Sequence, residues 1–230
     1  MTYSIISKQM LKISEFSENK AVELANPLTE EWQFMRPSLI PSLLDVIAKN
    51  QNNKNDIKIF EIAKTYIKKR ADLPIQDLYL TIAINSGDFY QIKGLAENIF
   101  RSIKYNTTYS NLKSEKTLFD KDKSALINIG DIEIGIVGIL KADIIKNFEI
   151  HTPISAIEIN LTTCYQLPAT SSQFHPIAKF PPITEDISAI FSIYTPITNI
   201  VAEIKKASTL VKNIEVIDIY EDPKLGEGKK

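Results

Sequence analysis

Between Met35 and Tyr66 the apolar residues change their spacing once, from a helical period to a strand period, across a polar break. Ser38 can cap the helix, and Pro41 falls in its first turn, where a missing N–H costs nothing. Ile40, Leu43, Leu44 and Ile47 follow the i, i+3, i+4, i+7 spacing of one apolar helix face. Asn50 to Asn55 breaks that pattern with side chains that hydrogen-bond their own backbone in turns. From Asp56 the period is two. Ile57, Ile59, Ala63, Thr65 and Ile67 point one way, and Lys58, Phe60, Ile62, Lys64 and Tyr66 the other. Apolar residues on both faces predict a central strand covered on both sides. Glu61 interrupts one of those faces. Two readings are open for it: a carboxylate held by a neighbouring Arg, Lys or backbone N–H, or a catalytic acid.

A chain of 230 residues can bury a large core as one or two domains. Its net charge of −1 provides no global basic field, so any nucleic-acid contact must use a local patch. One Cys and two His are too few for a structural zinc site, and a single Cys excludes an internal disulfide framework. This fits a reducing, cytoplasmic setting. No apolar run approaches the roughly 20 residues of a membrane helix, so no membrane partner is expected. The opening residues 1–12 lack a signal-peptide core. With 7 Gly and no GxGxxG or GxxxxGK[ST], a phosphate-cradling loop is not expected.

The rest of the chain reads as short elements. Thr2 to Ile6 and Val22 to Ala25 are strand candidates, and Ser7 can cap a short helix through Leu11. Leu78 to Asn85 is a strand, and Tyr90 to Tyr105 a helix with Ile92, Leu95, Ala96, Ile99 and Ile103 on one face. Lys93, Glu97 and Arg101 form a solvated i, i+4 ladder on the other. Lys104 to Lys123 reads as irregular. Ala125 to Ile129 and Ile132 to Leu140 form a hairpin about Gly130-Asp131, its second strand covered on both faces. Ala142 to Phe148 is a helix candidate and Ser155 to Leu161 a strand, with Glu158 among apolar neighbours. Cys164 to Pro182 holds four of 11 prolines and reads as a linker, its thiol inert rather than nucleophilic. Beyond it, Asp186 to Ile193, Ile197 to Ser208 and Asn213 to Tyr220 form a β-α-β pattern.

Three ordered blocks carry a resemblance. Asn26-Pro27-Leu28-Thr29-Glu30-Glu31, Met35-Arg36-Pro37-Ser38-Leu39-Ile40-Pro41 and Ile59-Phe60-Glu61-Ile62 are similar to the beta subunit of bacterial phenylalanyl-tRNA synthetase. That family reads close to NPLSEE, MRTSLLPGLL and LFEIGRVF. The chain departs from it at Pro37, Ala63 and Lys64. Thr2-Tyr3-Ser4 resembles the family's TYSF opening of this region, and residues 88–95 its FYDLKG motif. The hairpin flanks lack the family's HPGRSA and GELHP residues. Lys179-Phe180-Pro181 and the terminal Gly226-Glu227-Gly228-Lys229-Lys230 resemble the bounds of the family's anticodon-binding start, with Glu185 where it has Arg.

The resemblance implies an α+β protein. Residues 1–163 would be a catalytically inactive class II aminoacyl-tRNA synthetase-like domain, a mainly antiparallel sheet flanked by helices. Residues 164–178 would be a linker and 179–230 a partial ferredoxin-like, anticodon-binding domain. A ferredoxin-like domain runs β-α-β-β-α-β, and its third strand lies between the first and second. With only β-α-β present, 180–230 is expected to be poorly ordered or to pair its two strands directly. The Lys229-Lys230 ending suggests a truncated reading frame. ATP and Mg²⁺ are implied for the whole enzyme, none for this fragment, and no catalytic or metal-ligating residue is assigned. Lys64 and Glu61 do not make the Arg-x-Glu pair of an active site. The implied partners are the catalytic alpha subunit, in a two-alpha two-beta assembly, and tRNA-Phe. Interface candidates are Trp32 and Phe34, which are alternatively core anchors, together with Arg36 and Lys64. Candidate tRNA contacts are Lys179, Lys205, Lys206 and Lys212, the last three alternatively a solubilising surface.

Two other functions compete. One is a stand-alone RNA-binding or scaffold module of the same descent. The other is an unrelated enzyme pairing Glu61 or Glu158 with His151 or His175, for which no spacing argues.

Overall fold

The computed structural model describes residues 1–29, 31–54, 56–70, 72–85, 88–112, 117–168 and 179–220. In chain order the elements are β1 (Ile5–Ile6), α1 (Lys8–Ile13), β2 (Val22–Glu23), β3 (Phe34–Met35), α2 (Ile40–Asn50), β4 (Lys58–Ile67), β5 (Ile75–Asn85), α3 (Phe89–Ser102), β6 (Thr108–Asn111), β7 (Phe119–Ile129), β8 (Ile132–Leu140), α4 (Ala142–Asn147), β9 (Ile154–Asn160), α5 (Leu161–Gln166) and α6 (Ile197–Ala207). The chain divides into two units, Met1–Gln173 and Phe174–Lys230.

In the first unit six antiparallel strands run in the order β4-β5-β9-β8-β7-β6, and β1-β3-β2 form a small second sheet. Strand alternation splits the core into two layers. Ala83, Leu126 and Ala156 face α2 and α4, where Ile40, Leu43, Leu44, Ile47, Ile144 and Ile145 are buried. Their neighbours Ile82, Ile127 and Ile157 face the other way, under Ile92, Ala96 and Phe100 of α3 and Cys164 of α5. Residues adjacent in sequence thus serve opposite cores, as a period of two requires. Gly135 lets β8 approach β9, since a Cβ there would collide with the Glu158 carbonyl.

Local chemistry sets the ends of the helices. Ser7 Oγ accepts from Met10 N–H and Asp88 Oδ1 from Gln91 N–H, closing the first turns of α1 and α3. Three helices end in a left-handed turn without glycine. Glu15, Lys104 and Glu149 have φ of 57°, 63° and 57°. The next N–H of each reaches back, Phe16 to Leu11, Tyr105 to Phe100 and Ile150 to Ile145. This is the Schellman closure, with an apolar residue following each turn.

Several expectations need correction. β4 is not central: it is the edge of the sheet, and one of its faces is open, with Phe60 71% and Ile62 50% exposed. Apolar character on both faces of a strand cannot by itself distinguish a covered face from an uncovered one. Residues 104–123 are not irregular throughout, because β6 and the first half of β7 lie there. Phe119 pairs with Leu140 and the register resumes at Ser124 with Gly138, so the charged residues 120–123 are carried into the strand across an irregularity between two paired ends. α5 occupies Leu161–Gln166, where the linker was expected to begin at Cys164. The remainder of that linker, 169–178, with His175, lies outside the described residues, as does the tail 221–230.

In the second unit α6 forms as expected, but the flanking segments 186–193 and 213–220 form no strand ladder, apart from a single bridge residue at Ser192. Ile187, Ile190, Ile217 and Ile219 remain exposed. A strand needs a hydrogen-bonded neighbour, and apolar alternation alone does not supply one.

Candidate functional site: a polar row across the sheet face

Cross-strand register aligns Glu61 with Thr81 and Thr81 with Glu158. The three side chains form one row on the face that carries α2. Beside them run Ala63, Tyr79 and Asn160, in the next row of the same face. The segment 35–39 passes over this end of the sheet and enters α2.

Two carboxylates hold that segment. Glu61 pairs with Arg36, Oε1 to Nη1 at 3.1 Å, with side-chain exposures of 4% and 1%. That contact is charge attraction without hydrogen-bond alignment. The hydrogen bonds of Glu61 go to the chain start: Thr2 N–H and Thr2 Oγ1 donate to Oε2 at 3.0 and 2.7 Å. Arg36 donates Nη1 to Thr2 Oγ1 at 2.6 Å and to the Tyr3 carbonyl at 3.3 Å, and Nε to the Lys64 carbonyl at 3.3 Å. Arg36, Glu61 and Thr2 are one closed network that ties the N-terminus and the 35–39 segment to β4. For Glu61 the first reading is the correct one: an Arg holds it.

Glu158 does the same one step further in. Ser38 Oγ donates to Glu158 Oε1 at 2.5 Å and accepts from Ile40 N–H at 3.1 Å. Leu39 occupies the cap position of α2 without a side-chain bond of its own. Ser38, expected as the cap, therefore acts one residue earlier, and Glu158 supplies an acid from another strand to the helix start. Burial pushes the Glu158 carboxyl above the usual carboxylate range, against the opposing pull of the Ser38 hydroxyl and the Leu39 N–H. Burial also pushes Tyr79 up to about 12, and the Glu158 charge adds to this, while the Asn160 hydrogen bond opposes it. Asn160 Nδ2 donates to Asp77 Oδ2 at 3.1 Å and to Tyr79 Oη at 3.2 Å.

The raised Glu158 value has a consequence with a definite sign. The folded chain holds this proton more tightly than the unfolded chain, so the associated stability is complete below about 4.5 and is lost as pH rises through the folded value. Glu158→Gln keeps an oxygen for Ser38 and removes the cost of burying charge. Urea unfolding at about pH 8 should find the variant at least as stable as the parent, with its advantage fading towards pH 4.5. A parent clearly more stable at about pH 8 would contradict this.

The other sequence candidates are spread out. Phe34 is buried in a small core with Ile6, Leu11 and Ala21. Trp32 is half-buried and lies 4.5 Å from the Tyr3 ring, tilted by 59°. Lys64 is exposed, its Nζ 3.4 Å from Gln76 Oε1. Lys179, Lys205, Lys206 and Lys212 are exposed in the second unit. Lys206 pairs with Glu203 at 2.6 Å, and Lys205 and Lys206 lie in the last turn of α6, where the helix dipole favours cations. His151 is exposed, and no contact joins it to either acid among the described residues. Thr81, Tyr79, Asp77 and Asn160 were not picked out from the sequence. Thr81, a lone polar residue inside LYLTIAIN, was the available signal. Among the described residues no group of His, Cys, Asp and Glu could hold a metal ion, and no helix is long and apolar enough to cross a membrane.

Comparison with known proteins places this geometry. Among solved structures, a pyrrolysyl-tRNA synthetase from Desulfitobacterium hafniense is similar over 72% of this chain and 60% of its own, with a TM-score of 0.58 and 18% identity. That likeness concerns the fold alone. The phenylalanine–tRNA ligase beta subunits of Clostridium acetobutylicum and Fusobacterium nucleatum are 27% and 29% identical over the whole of this chain. The chain spans only 30% and 31% of their lengths. The family model for the phenylalanyl-tRNA synthetase beta chain CLM domain matches residues 1–161. The chain thus belongs to the phenylalanyl-tRNA synthetase beta chain CLM domain family.

Proposed function

We propose that this chain is part of the beta subunit of a bacterial phenylalanine–tRNA ligase and supports aminoacylation without catalysing it. One observation carries the second half of that reading: the two carboxylates in the polar row are both engaged in holding the chain's own segments. Adenylate formation concentrates negative charge and needs a fixed cation and a metal beside the reacting phosphate. Here the buried cation, Arg36, is committed to Glu61. ATP and Mg²⁺ belong, on this reading, to the whole enzyme.

The finer reading of the fold is a class II-like sheet in residues 1–163, a linker at 164–178 and a partial ferredoxin-like, anticodon-binding domain at 179–230. The partners are the alpha subunit, in a two-alpha two-beta assembly, and tRNA-Phe, in the cytoplasm. Lys64 and Trp32 have surface to offer a partner. Phe34 and Arg36 act from inside, by shaping the segment that carries Trp32. Lys179, Lys205, Lys206 and Lys212 are exposed and can meet phosphates, and such contacts weaken steeply with salt.

Phenylalanine-dependent ATP–pyrophosphate exchange tests the non-catalytic part. The chain alone should show no exchange above background. A phenylalanine-dependent rate that scales with chain concentration would overturn it.

A further inference from the structure

We propose that Lys20, Lys68 and Arg70, gathered where the turn after β4 meets the segment before β2, contact the phosphate backbone of the tRNA. The proposal rests on the tRNA-partner reading above and adds a site in the first unit to the lysines of the second.

Sequence and fold meet at this turn. Between Glu61 and Asp72 every charged residue is a cation, and Lys68-Lys69-Arg70 is the sequence's only run of three consecutive cations. The run follows β4 directly, on the way to β5. Lys68 N–H donates to the Lys20 carbonyl at 3.0 Å, which sets a further cation from a distant segment beside the run. Lys20, Lys68, Lys69 and Arg70 are all exposed. A cleft of about 570 Å³ opens between residues 22–25 and the turn, lined by Glu23, Leu24, Lys68, Lys69, Asp72 and Pro74 among others.

Ion pairing decides which of these charges are available. Lys69 lies 3.9 Å from Asp72, and Lys8 lies 2.9 Å from Glu18. Glu18, and after it Glu23, holds the Lys8 ammonium above its usual range. The acids on this side are thus shared with Lys69 and Lys8. Among the described residues no ion pair engages Lys20, Lys68 or Arg70. Elsewhere Lys49, Lys58, Lys93, Lys123 and Lys206 each face an acid. Cations set side by side without acids repel one another, and a bound anion removes that cost.

The residue types favour phosphate over a protein surface. Arg70 offers a planar fork for two phosphate oxygens, and Lys20 and Lys68 act as point charges. Protein interfaces are depleted in Lys at their cores, whereas contacts to phosphate rely on Lys and Arg. Contacts of this kind fix position and carry no sequence information.

Filter binding of the full 230-residue chain to a tRNA-Phe transcript, across a series of salt concentrations, tests this. Lys20→Gln, Lys68→Gln and Arg70→Gln combined should weaken binding at least about tenfold and flatten the slope of log K against log salt by about 2–3. Lys54→Gln, Lys123→Gln and Lys146→Gln combined makes the same change of net charge elsewhere and should bind like the parent. Circular dichroism checks that each variant is folded. If the first is not, Arg70→Gln alone decides, with a slope flatter by about 1. Unchanged affinity and slope in the first variant overturn the site. The tRNA reading then stands if Lys205→Gln, Lys206→Gln and Lys212→Gln combined abolishes binding. Equal losses in the first variant and its control make the effect one of net charge and overturn the site. Unchanged tRNA affinity with loss of alpha-subunit binding gives the patch to an acidic protein surface and also overturns it. No binding by the parent up to about 100 µM overturns both the site and the tRNA reading.

Discussion

Arg36→Ala should destabilise the chain by about 3–5 kcal/mol, because it leaves the Glu61 carboxylate buried without its counter-charge. Both side chains are almost fully enclosed, at 1% and 4% exposure, so solvent screens little of the loss. Arg36 also holds the Thr2 hydroxyl and the Tyr3 and Lys64 carbonyls, which join the chain start to the edge of the large sheet. For a unit of this size the loss corresponds to a fall in melting temperature of roughly 10 °C. The companion variant separates charge from packing. Arg36→Met with Glu61→Leu removes both ions, and a buried pair replaced by apolar residues is often neutral. The double variant should therefore recover most of the loss. A single variant within about 1 kcal/mol of the parent, or a double variant no better than the single, would contradict the closed network described above.

The second large effect belongs to the opposite face. Phe100, 1% exposed, packs with Ile92, Ala96, Ile127, Ile134 and Val137 in the layer under α3. Phe100→Ala should cost about 3–5 kcal/mol, from lost transfer free energy and from the cavity left behind. Phe60→Ala provides the contrast on the same face of the sheet. At 71% exposure Phe60 contributes little to the isolated chain, and its loss should stay within about 0.5 kcal/mol. Urea unfolding of both variants measures the difference. Similar costs would mean that Phe60 is covered in solution and that β4 has a neighbour within the chain.

Local features were legible in the sequence wherever one residue's chemistry decides them. The α2 face, the Ser7 cap and the Gly130-Asp131 turn each follow from spacing or side-chain type and are present, while the α3 stripe holds from Ile92 to Ile99 but not at Ile103, which lies past the helix end and is exposed, and it missed the buried Phe100. Two of the three small-sheet strands, β1 and β2, and the hairpin were also legible, whereas β3 between them was not. Nor was the place of β4, because strand order is set by pairing between distant segments, here Ile75–Asn85 on one side and, among the described residues, no further strand of the sheet on the other. Glu158 was seen as an acid among apolar residues, but its partner Ser38 is 120 positions away, and no local pattern links them. β6 and the charged start of β7 were hidden for the same reason: their strand character comes from their neighbours. The flanks of α6 failed in the opposite sense, since their alternation promises strands where the structure has only one bridge residue, Ser192, among the described residues.

Partner binding, the core of the proposed function, is separate from the observed role of Glu61 and Glu158 in holding the chain's own segments. Co-elution with the alpha subunit on a size-exclusion column coupled to light scattering tests it most directly. The account predicts a complex whose mass exceeds that of either component and includes the 26.0 kDa chain. Separate elution of the two proteins at micromolar concentration, with the chain shown to be folded, would contradict it.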